Sequence, residues 1–398
     1  MLNIKDTNFS GKRALIRVDF NVPLNSEREV TDDTRIRAAL PTIKKVIKDG
    51  GKAILMSHLG RPENGPEEKY SLKHIAEKLG HLLGATIKVA PNCVGEEAKA
   101  MADKLAKGEV LLLENLRFHK EETAGDEFFA GQLAELGDVY VNDAFGTAHR
   151  EHASTAVIAR FFPENRLFGC LMEDEIKNID RVLYGAKSPV TAIVGGAKVS
   201  SKITIIRNLM EVADNILIGG GMAYTFVKAM KGEIGDSLVE DDKLETALGI
   251  IELAKRTKTN LILPKDTICA DKFSEDANTR VCPTNKILEG WMGLDIGPAT
   301  IKSFLKVIRE SRTILWNGPM GVFEMKKFSL GTEKVARTLA DVTQAGDSFT
   351  LVGGGDSVAA INKYNLAKKV SYVSTGGGAM LEYLEGKVLP GIAAIKGE

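Results

Sequence analysis

Seven side chains in the first half of the sequence, Asp19, Asn21, Arg35, His58, Arg61, Arg117 and Arg150, are of the types that hold a small polyanion. Guanidinium forks match carboxylate and phosphate oxygens two at a time, and imidazole adds a further donor. Most of them follow short apolar runs, and Arg35 opens the amphipathic stretch behind the first run. Asn142, Asp143, His149 and His152 occupy the same kind of position. Any one of these residues could equally be a helix cap or a surface ion pair, but recurrence after four apolar runs points to one converging rim. The i, i+3 spacing of His149 and His152 has no further ligands nearby, so a metal pair is not expected there.

The second half offers a different chemistry. Three glycine triplets, Gly219-Gly220-Gly221, Gly353-Gly354-Gly355 and Gly376-Gly377-Gly378, each follow an apolar run and precede a helical one. Glycine lets a backbone approach a ligand closely, and free N–H groups at a helix start direct partial positive charge at an anion. Tight strand-to-helix packing is the competing explanation for such glycines. Gly195-Gly196-Ala197-Lys198 and Lys202 follow another run, which would set two ammonium groups one helical turn apart, both within reach of phosphate oxygens. Asp356 directly follows a triplet and could hold Mg²⁺ against bound phosphates; with Ser357 it could also simply cap the helix. Neither G-x-x-x-x-G-K-[ST] nor G-x-G-x-x-G occurs.

Positioning these groups requires strand ends. Apolar, β-rich runs at Ala14 to Phe20, Lys52 to His58, Thr86 to Ala90, Val110 to Asn115 and Val139 to Ala144 alternate with amphipathic stretches such as Thr34 to Lys48, whose Ile36, Leu40, Ile43 and Ile47 share a face. A second series follows at Thr191 to Val194, Ile216 to Ile218, Asn260 to Leu263, Thr313 to Trp316, Thr350 to Val352 and Val370 to Val373, with helices such as Asp241 to Arg256 between. This order predicts an α/β fold of two Rossmann-like domains, each a parallel sheet flanked by helices, joined by a hinge. Ligands of such sheets lie beyond the carboxyl ends of the strands, where the polar residues above fall. The predicted boundaries are 1–170 for the first domain, joined by the tail from about 388 to 398, then an interdomain helix and hinge at 171–187, and 188–387 for the second.

Bulk properties exclude several classes. With 398 residues and 53 basic against 53 acidic side chains, the chain has no general attraction for nucleic acid or an anionic membrane, so an anion site must be local. The four cysteines form no C-x-x-C pair, which argues against a zinc cage or disulfide framework. The charged start MLNIKDTNFSGKR and the lack of any run near 18 apolar residues predict a cytoplasmic protein with no membrane partner.

The segments Arg17 to Pro23 (RVDFNVP), Ser57 to Pro62 (SHLGRP), Leu112 to Phe118 (LLENLRF), Asn142 to Arg150 (NDAFGTAHR), Gly195 to Ser200 (GGAKVS), Trp316 to Glu324 (WNGPMGVFE), Gly353 to Ser357 (GGGDS) and Ser374 to Ala379 (STGGGA) together resemble the phosphoglycerate kinase family. The likeness runs from about Asn3 to Ile392. It implies reversible phosphoryl transfer between 1,3-bisphosphoglycerate and ADP, giving 3-phosphoglycerate and MgATP, by a monomer. It places the three-carbon acid on Asp19, Asn21, Arg35, His58, Arg61, Arg117 and Arg150. The nucleotide falls to Lys202, Gly219, Gly220, Gly221, Glu324, Gly353, Gly354, Gly355, Asp356 and Ser357, with Asp356 on the metal. Arg35, Lys198 and the amides of Gly376, Gly377 and Gly378 are the expected transition-state donors. Ser201 stands where many members carry Asp, and Lys265 where an apolar residue is common; no function is read from either.

The leaving carboxylate of an acyl phosphate is already stable, so positioning and charge neutralisation must supply most of the rate. Two other readings are weaker. A dinucleotide oxidoreductase would carry the absent G-x-G-x-x-G, and a non-catalytic two-lobed anion binder would need neither paired lysines nor a metal carboxylate.

Overall fold

The run RALIRV, Arg13–Val18 (β1), is apolar on both alternating faces apart from two arginines, so both faces must be covered. Five of its six residues are buried, Arg17 among them. The computed structural model describes residues 2–63 and 65–398, and in it β1 lies inside a six-stranded parallel sheet. Its partners are Lys52–Met56 (β2), Ile87–Val89 (β3), Val110–Leu112 (β4), Val139–Asp143 (β5) and Arg166–Phe168 (β6), in the order β3-β4-β2-β1-β5-β6. Register places Arg17 opposite Met56 on one side and Asn142 on the other. The helix Thr34–Lys48 turns Ile36, Ala39, Ile43 and Val46 into the core beneath the sheet. The larger of these side chains contribute about 1.5–3 kcal/mol each by leaving water. The edge strand β6 was not anticipated from sequence.

Chain contacts divide the molecule into Met1–Ile176 with Lys387–Glu398, and Lys177–Gly386. The division falls inside one continuous helix, Cys170–Leu183. The terminal helix Pro390–Lys396 belongs to the first unit, where the Gly391 amide donates to the Ala148 carbonyl at 2.8 Å.

The second unit holds Val190–Val194 (β7), Asn215–Ile218 (β8), Glu233–Ile234 (β9), Asn260–Ile262 (β10), Asp266–Ala270 (β11), Thr279–Pro283 (β12), Lys286–Ile287 (β13), Met292–Ile296 (β14), Thr313–Asn317 (β15), Phe349–Val352 (β16) and Tyr372–Val373 (β17). Six of these form a parallel sheet ordered β10-β8-β7-β15-β16-β17. Trp316, fully buried on β15, lies in its core with Phe304, Val335 and Leu339. One addition goes beyond the predicted plan: β12, β11 and β14 make an antiparallel sheet, and β9 pairs with β13. Polar residues interrupt them, as in TRVCP of β12 and MGLDI of β14, so they do not stand out as apolar runs. Among the described residues, no helix is long and apolar enough to cross a membrane.

Candidate active site

In the first unit, β2 and β5 leave β1 on opposite sides, and that reversal opens a crevice at the carboxyl ends of the strands. Asp19 and Asn21 follow β1, His58 and Arg61 follow β2, and Arg117 sits in the short turn Leu116–Phe118 after β4. Arg150 follows β5, and Arg35 lies in the first turn of Thr34–Lys48. The Arg35 guanidinium pairs with the Asp19 carboxylate at 3.1 Å and donates to the Asn21 carbonyl at 3.0 Å. The Asn21 side chain accepts from the Gly60 amide at 2.8 Å, and Arg117 donates to the Gly60 carbonyl at 2.8 Å. Four of the predicted residues are thus tied into one hydrogen-bonded rim.

Its electrostatics invite an anion. Burial holds the His58 imidazole well below its ordinary range, and Arg17, Arg117, Arg35 and Arg150 push it further down. Arg117 is pushed down to about 10 by burial and by Arg150, Arg17 and Arg61. Cations that disfavour one another's charge gain most from a polyanion placed among them. A cleft of about 740 Å³ runs beside them, lined by Arg61, Arg117, Lys120 and Arg150.

Three polar residues of the rim expectation have other work. Asn142 is fully buried and donates to the Thr155 and Gly391 carbonyls, each at 3.3 Å. Asp143, also fully buried, accepts from the Leu171 amide at 2.9 Å at the start of the helix Cys170–Leu183. His152 is nearly enclosed, and burial together with Arg117, Arg17 and Arg150 brings it down to about 4, which leaves it neutral.

Beneath the rim lies a buried polar chain that sequence reasoning did not single out. The Arg17 Nε–H donates to Ser154 Oγ at 2.9 Å, and the Ser154 hydroxyl donates to Glu122 Oε1 at 2.6 Å. Arg17 is 1 % exposed and Glu122 1 %. Arg17 stands inside the motif RVDFNVP, but nothing in the sequence tells that its side chain turns inward.

The second unit has its own reversal at β7, flanked by β8 and β15. A pocket of about 480 Å³ there is lined by Gly220, Gly221, Tyr224, Leu238, Phe273, Met320, Glu324 and Asp356 among others. Lys202 immediately precedes the helix Ile203–Leu209; its ammonium donates to the Asn317 side chain at the end of β15. Asn317 in turn donates to the Gly353 carbonyl at 2.8 Å, tying the lysine to the second glycine triplet. Burial draws the Lys202 ammonium down against the pull of Asp356 and Glu385. Lys198 is exposed in the turn before this helix, so the two lysines do not share a helical face as their spacing suggested.

The three triplets differ in what their amides do. Gly219 donates to the Val194 carbonyl at 2.9 Å and Gly220 to the Met320 carbonyl at 3.1 Å, so the first triplet has little left for phosphate. Packing explains its glycines: a Cβ on Gly219 would meet Met320. Gly354, with φ of 90°, turns the chain into the helix Gly355–Lys363, whose first amides, those of Gly355, Asp356 and Ser357, lack intrahelical acceptors. Glu324 is exposed at the pocket wall, and Ser357 is buried with its hydroxyl accepting from the Gly318 amide.

The third triplet corrects the expectation of three equivalent donors. The Gly376 amide is spent inside its own turn, on Ser374 Oγ at 3.1 Å. Gly377 is the residue that makes the turn: with φ of 51° and ψ of −114° it caps the helix Gly378–Leu384, and its carbonyl accepts from the Leu381 amide at 3.4 Å. A Cβ there would meet nothing within 4 Å, so Gly377 is required for its backbone angles and not for space. At this helix start the Ala379 amide is spent on the Gly376 carbonyl at 3.0 Å, while the amides of Gly377 and Gly378 have no intrahelical acceptor. Gly376, Gly377 and Gly378 are all outside the lining of the 480 Å³ pocket, so the three triplets do not form one shared cradle.

Comparison with known proteins agrees with this geometry. The family described as phosphoglycerate kinase matches residues 4–387. The phosphoglycerate kinase of Porphyromonas gingivalis is 53% identical over 420 residues, covering 100% of both chains. The solved phosphoglycerate kinase of Coxiella burnetii superposes with a TM-score of 0.90 at 40% identity, covering 100% of this chain and 99% of that one. That of Pyrococcus horikoshii gives 0.81 at 31% identity, covering 100% and 98%.

Proposed function

The chain belongs to the phosphoglycerate kinase family, and we propose how its two units divide that family's work. The reaction is reversible phosphoryl transfer between 1,3-bisphosphoglycerate and ADP, giving 3-phosphoglycerate and ATP. The first unit holds the three-carbon acid through Asp19, Asn21, Arg35, His58, Arg61, Arg117 and Arg150. The second holds the nucleotide, with Lys202 and the amides of Gly353 to Gly355 on phosphates, Ser357 at the same helix start, Glu324 on the ribose and Gly219 to Gly221 beside the base. Arg35, Lys198 and the amides of Gly377 and Gly378, on the turn that Gly376 opens, meet the phosphoryl group in flight. That group spreads charge over three equatorial oxygens and needs donors from several sides. Asp356 would hold Mg²⁺ together with the nucleotide phosphates. Its exposed carboxylate on the pocket wall is a hard oxygen donor, and a single carboxylate suits an ion that keeps water and phosphate as its other ligands. When bound, the ion neutralises phosphate charge. The reacting oxygens must approach to about 3–3.5 Å, so transfer requires the units to bring their ligands together and exclude water. The enzyme works as a cytoplasmic monomer on this reading, without nucleic acid or membrane.

The observation that carries the assignment is the contrast between the units: an arginine-rich crevice in one, and in the other a glycine-walled pocket bearing Asp236, Glu324 and Asp356, with Lys202 held on Asn317. All six histidines, at 58, 74, 81, 119, 149 and 152, lie in the first unit, which supplies a built-in probe. Imidazole NMR signals should shift with 3-phosphoglycerate and stay in place with ADP alone. Shifts of the His58 signal by ADP alone, with none by the acid, would reverse the assignment.

A further inference from the structure

The Arg17 guanidinium has five N–H donors and no acceptor. Its Nη2 lies 3.2 Å from His58 Nδ1. Two donors cannot share that contact, so Nδ1 must carry the lone pair and the ring proton of neutral His58 must sit on Nε2. Arg17 has little freedom to do otherwise. Its Nε is spent on Ser154, its Nη1 on the Val18 carbonyl, and its backbone is fixed on both sides within the sheet. Glu122, buried beside it, receives both the hydroxyl and the amide of Ser154, at 2.6 and 3.0 Å. The serine hydroxyl is therefore oriented: by giving its proton to the carboxylate, it can only accept from Arg17.

We propose that Glu122 and Ser154, acting through Arg17, are positioning residues that hold His58 as its Nε2–H tautomer, so that the ring presents a donor and not a lone pair to the three-carbon acid. The inference rests on the assignment of that acid to the first unit. The alternative tautomer would turn a nitrogen lone pair toward an anion, reversing the sign of the contact. The charges that weigh most on the ring are the cations Arg17, Arg117, Arg35 and Arg150, which outweigh the more distant carboxylates of Asp19 and Glu122 and, with burial, oppose a second proton that would make the choice of tautomer irrelevant. His152 lies 3.9 Å from Glu122 and, being neutral, leaves the carboxylate's charge to balance Arg17. Simple charge burial would explain Glu122 beside Arg17, but it would not need the serine between them.

The test is imidazole ¹⁵N NMR on the ligand-free full chain, with His58→Asn identifying the His58 signals. The expected result is an unprotonated Nδ1 and a protonated Nε2, steady across about pH 5 to 8, where an ordinary histidine titrates. Ser154→Ala should then give averaged tautomer signals. It should raise KM for 3-phosphoglycerate about tenfold, roughly the loss of one charged hydrogen bond, with KM for ATP and saturated kcat little changed. A protonated Nδ1 in the parent protein overturns the proposal whether or not the variant folds. So does a folded Ser154→Ala that keeps both the parent tautomer and the parent KM. If the tautomer is as stated but 3-phosphoglycerate leaves the Nε2 signal unmoved, the acid's assignment to this unit fails and the donor role goes with it.

Discussion

Replacing Lys202 by Ala removes the half-buried ammonium that donates to Asn317 beside the second glycine triplet. Hydrogen bonds from a charged donor are worth about 1.5–3 kcal/mol, which is roughly a ten- to hundredfold change in a dissociation constant. The lower half of that range is expected, because in the free protein the ammonium already has Asn317 as a partner and must share or exchange it to bind phosphate. The Kd for ADP should therefore rise about ten- to thirtyfold, with saturated turnover falling far less. Asn317 keeps its bond to the Gly353 carbonyl, so the glycine turn should hold and the melting temperature should stay near the parent's. Lys198→Ala should do the reverse. Exposed in its turn, Lys198 is assigned to the group in flight, and losing one transition-state donor costs about a hundred- to a thousandfold in kcat. Calorimetric ADP titration of both variants beside saturated rates decides the matter. The division of roles is wrong if Lys202→Ala leaves Kd within threefold, or if Lys198→Ala loses affinity by the same factor as turnover.

Arg35→Ala deletes the guanidinium that bridges Asp19 and Asn21; kcat should fall by several powers of ten with ADP affinity nearly unchanged, and retention of more than about a tenth of kcat removes Arg35 from the transition state. Asp356→Asn keeps the shape of the helix start but not its charge, so the Mg²⁺ concentration giving half activity should rise while the melting temperature holds; an unchanged titration would leave Asp356 only as a negative charge in the first turn of a helix that Gly354 caps. Asp295, enclosed on β14, is raised by burial to about 7, against the partial relief of the Gly331 and Ile296 amides. Its folded form binds more protons than an unfolded carboxyl between about pH 4 and 7, so its contribution to stability falls as pH rises through that window and is level above it. Asp295→Asn should remove that slope, its melting temperature gaining on the parent's from pH 5 to pH 8; an equal offset at both pH values would refute the linkage.

The legible parts of this molecule are those in which chemistry and pattern coincide. Parallel strands buried on both faces are written as apolar runs, and β1, β2, β5, β7 and β15 fall where those runs predict, with most of the boundary error at their carboxyl ends. The error arises because the residues just beyond, such as Ser57 and His58, are also buried and so continue the run. Glycine triplets were harder. Glycine marks room and backbone freedom, but not the direction in which its N–H points. The same three letters accordingly describe a turn whose amides are spent on Val194 and Met320, another that opens a helix beside Asp356, and a third whose middle residue, Gly377, serves its backbone angles. The antiparallel strands escaped because polar residues, such as Asp295 on β14 and Thr267 on β11, break their apolar runs.

Arg17 and Glu122 escaped for a more general reason. A charged residue is read from sequence as a surface residue or a ligand contact, since its burial is costly unless every donor and acceptor finds a partner. The groups that satisfy one another here are Arg17 with the Val18 carbonyl, His58, Glu122 and Ser154, drawn from four separate segments that only the folded sheet brings together. A visible rim of arginines can be inferred from strand ends one residue at a time. The chain that fixes a proton on one nitrogen of His58 is a property of the set, and removing any one member changes what the others can donate.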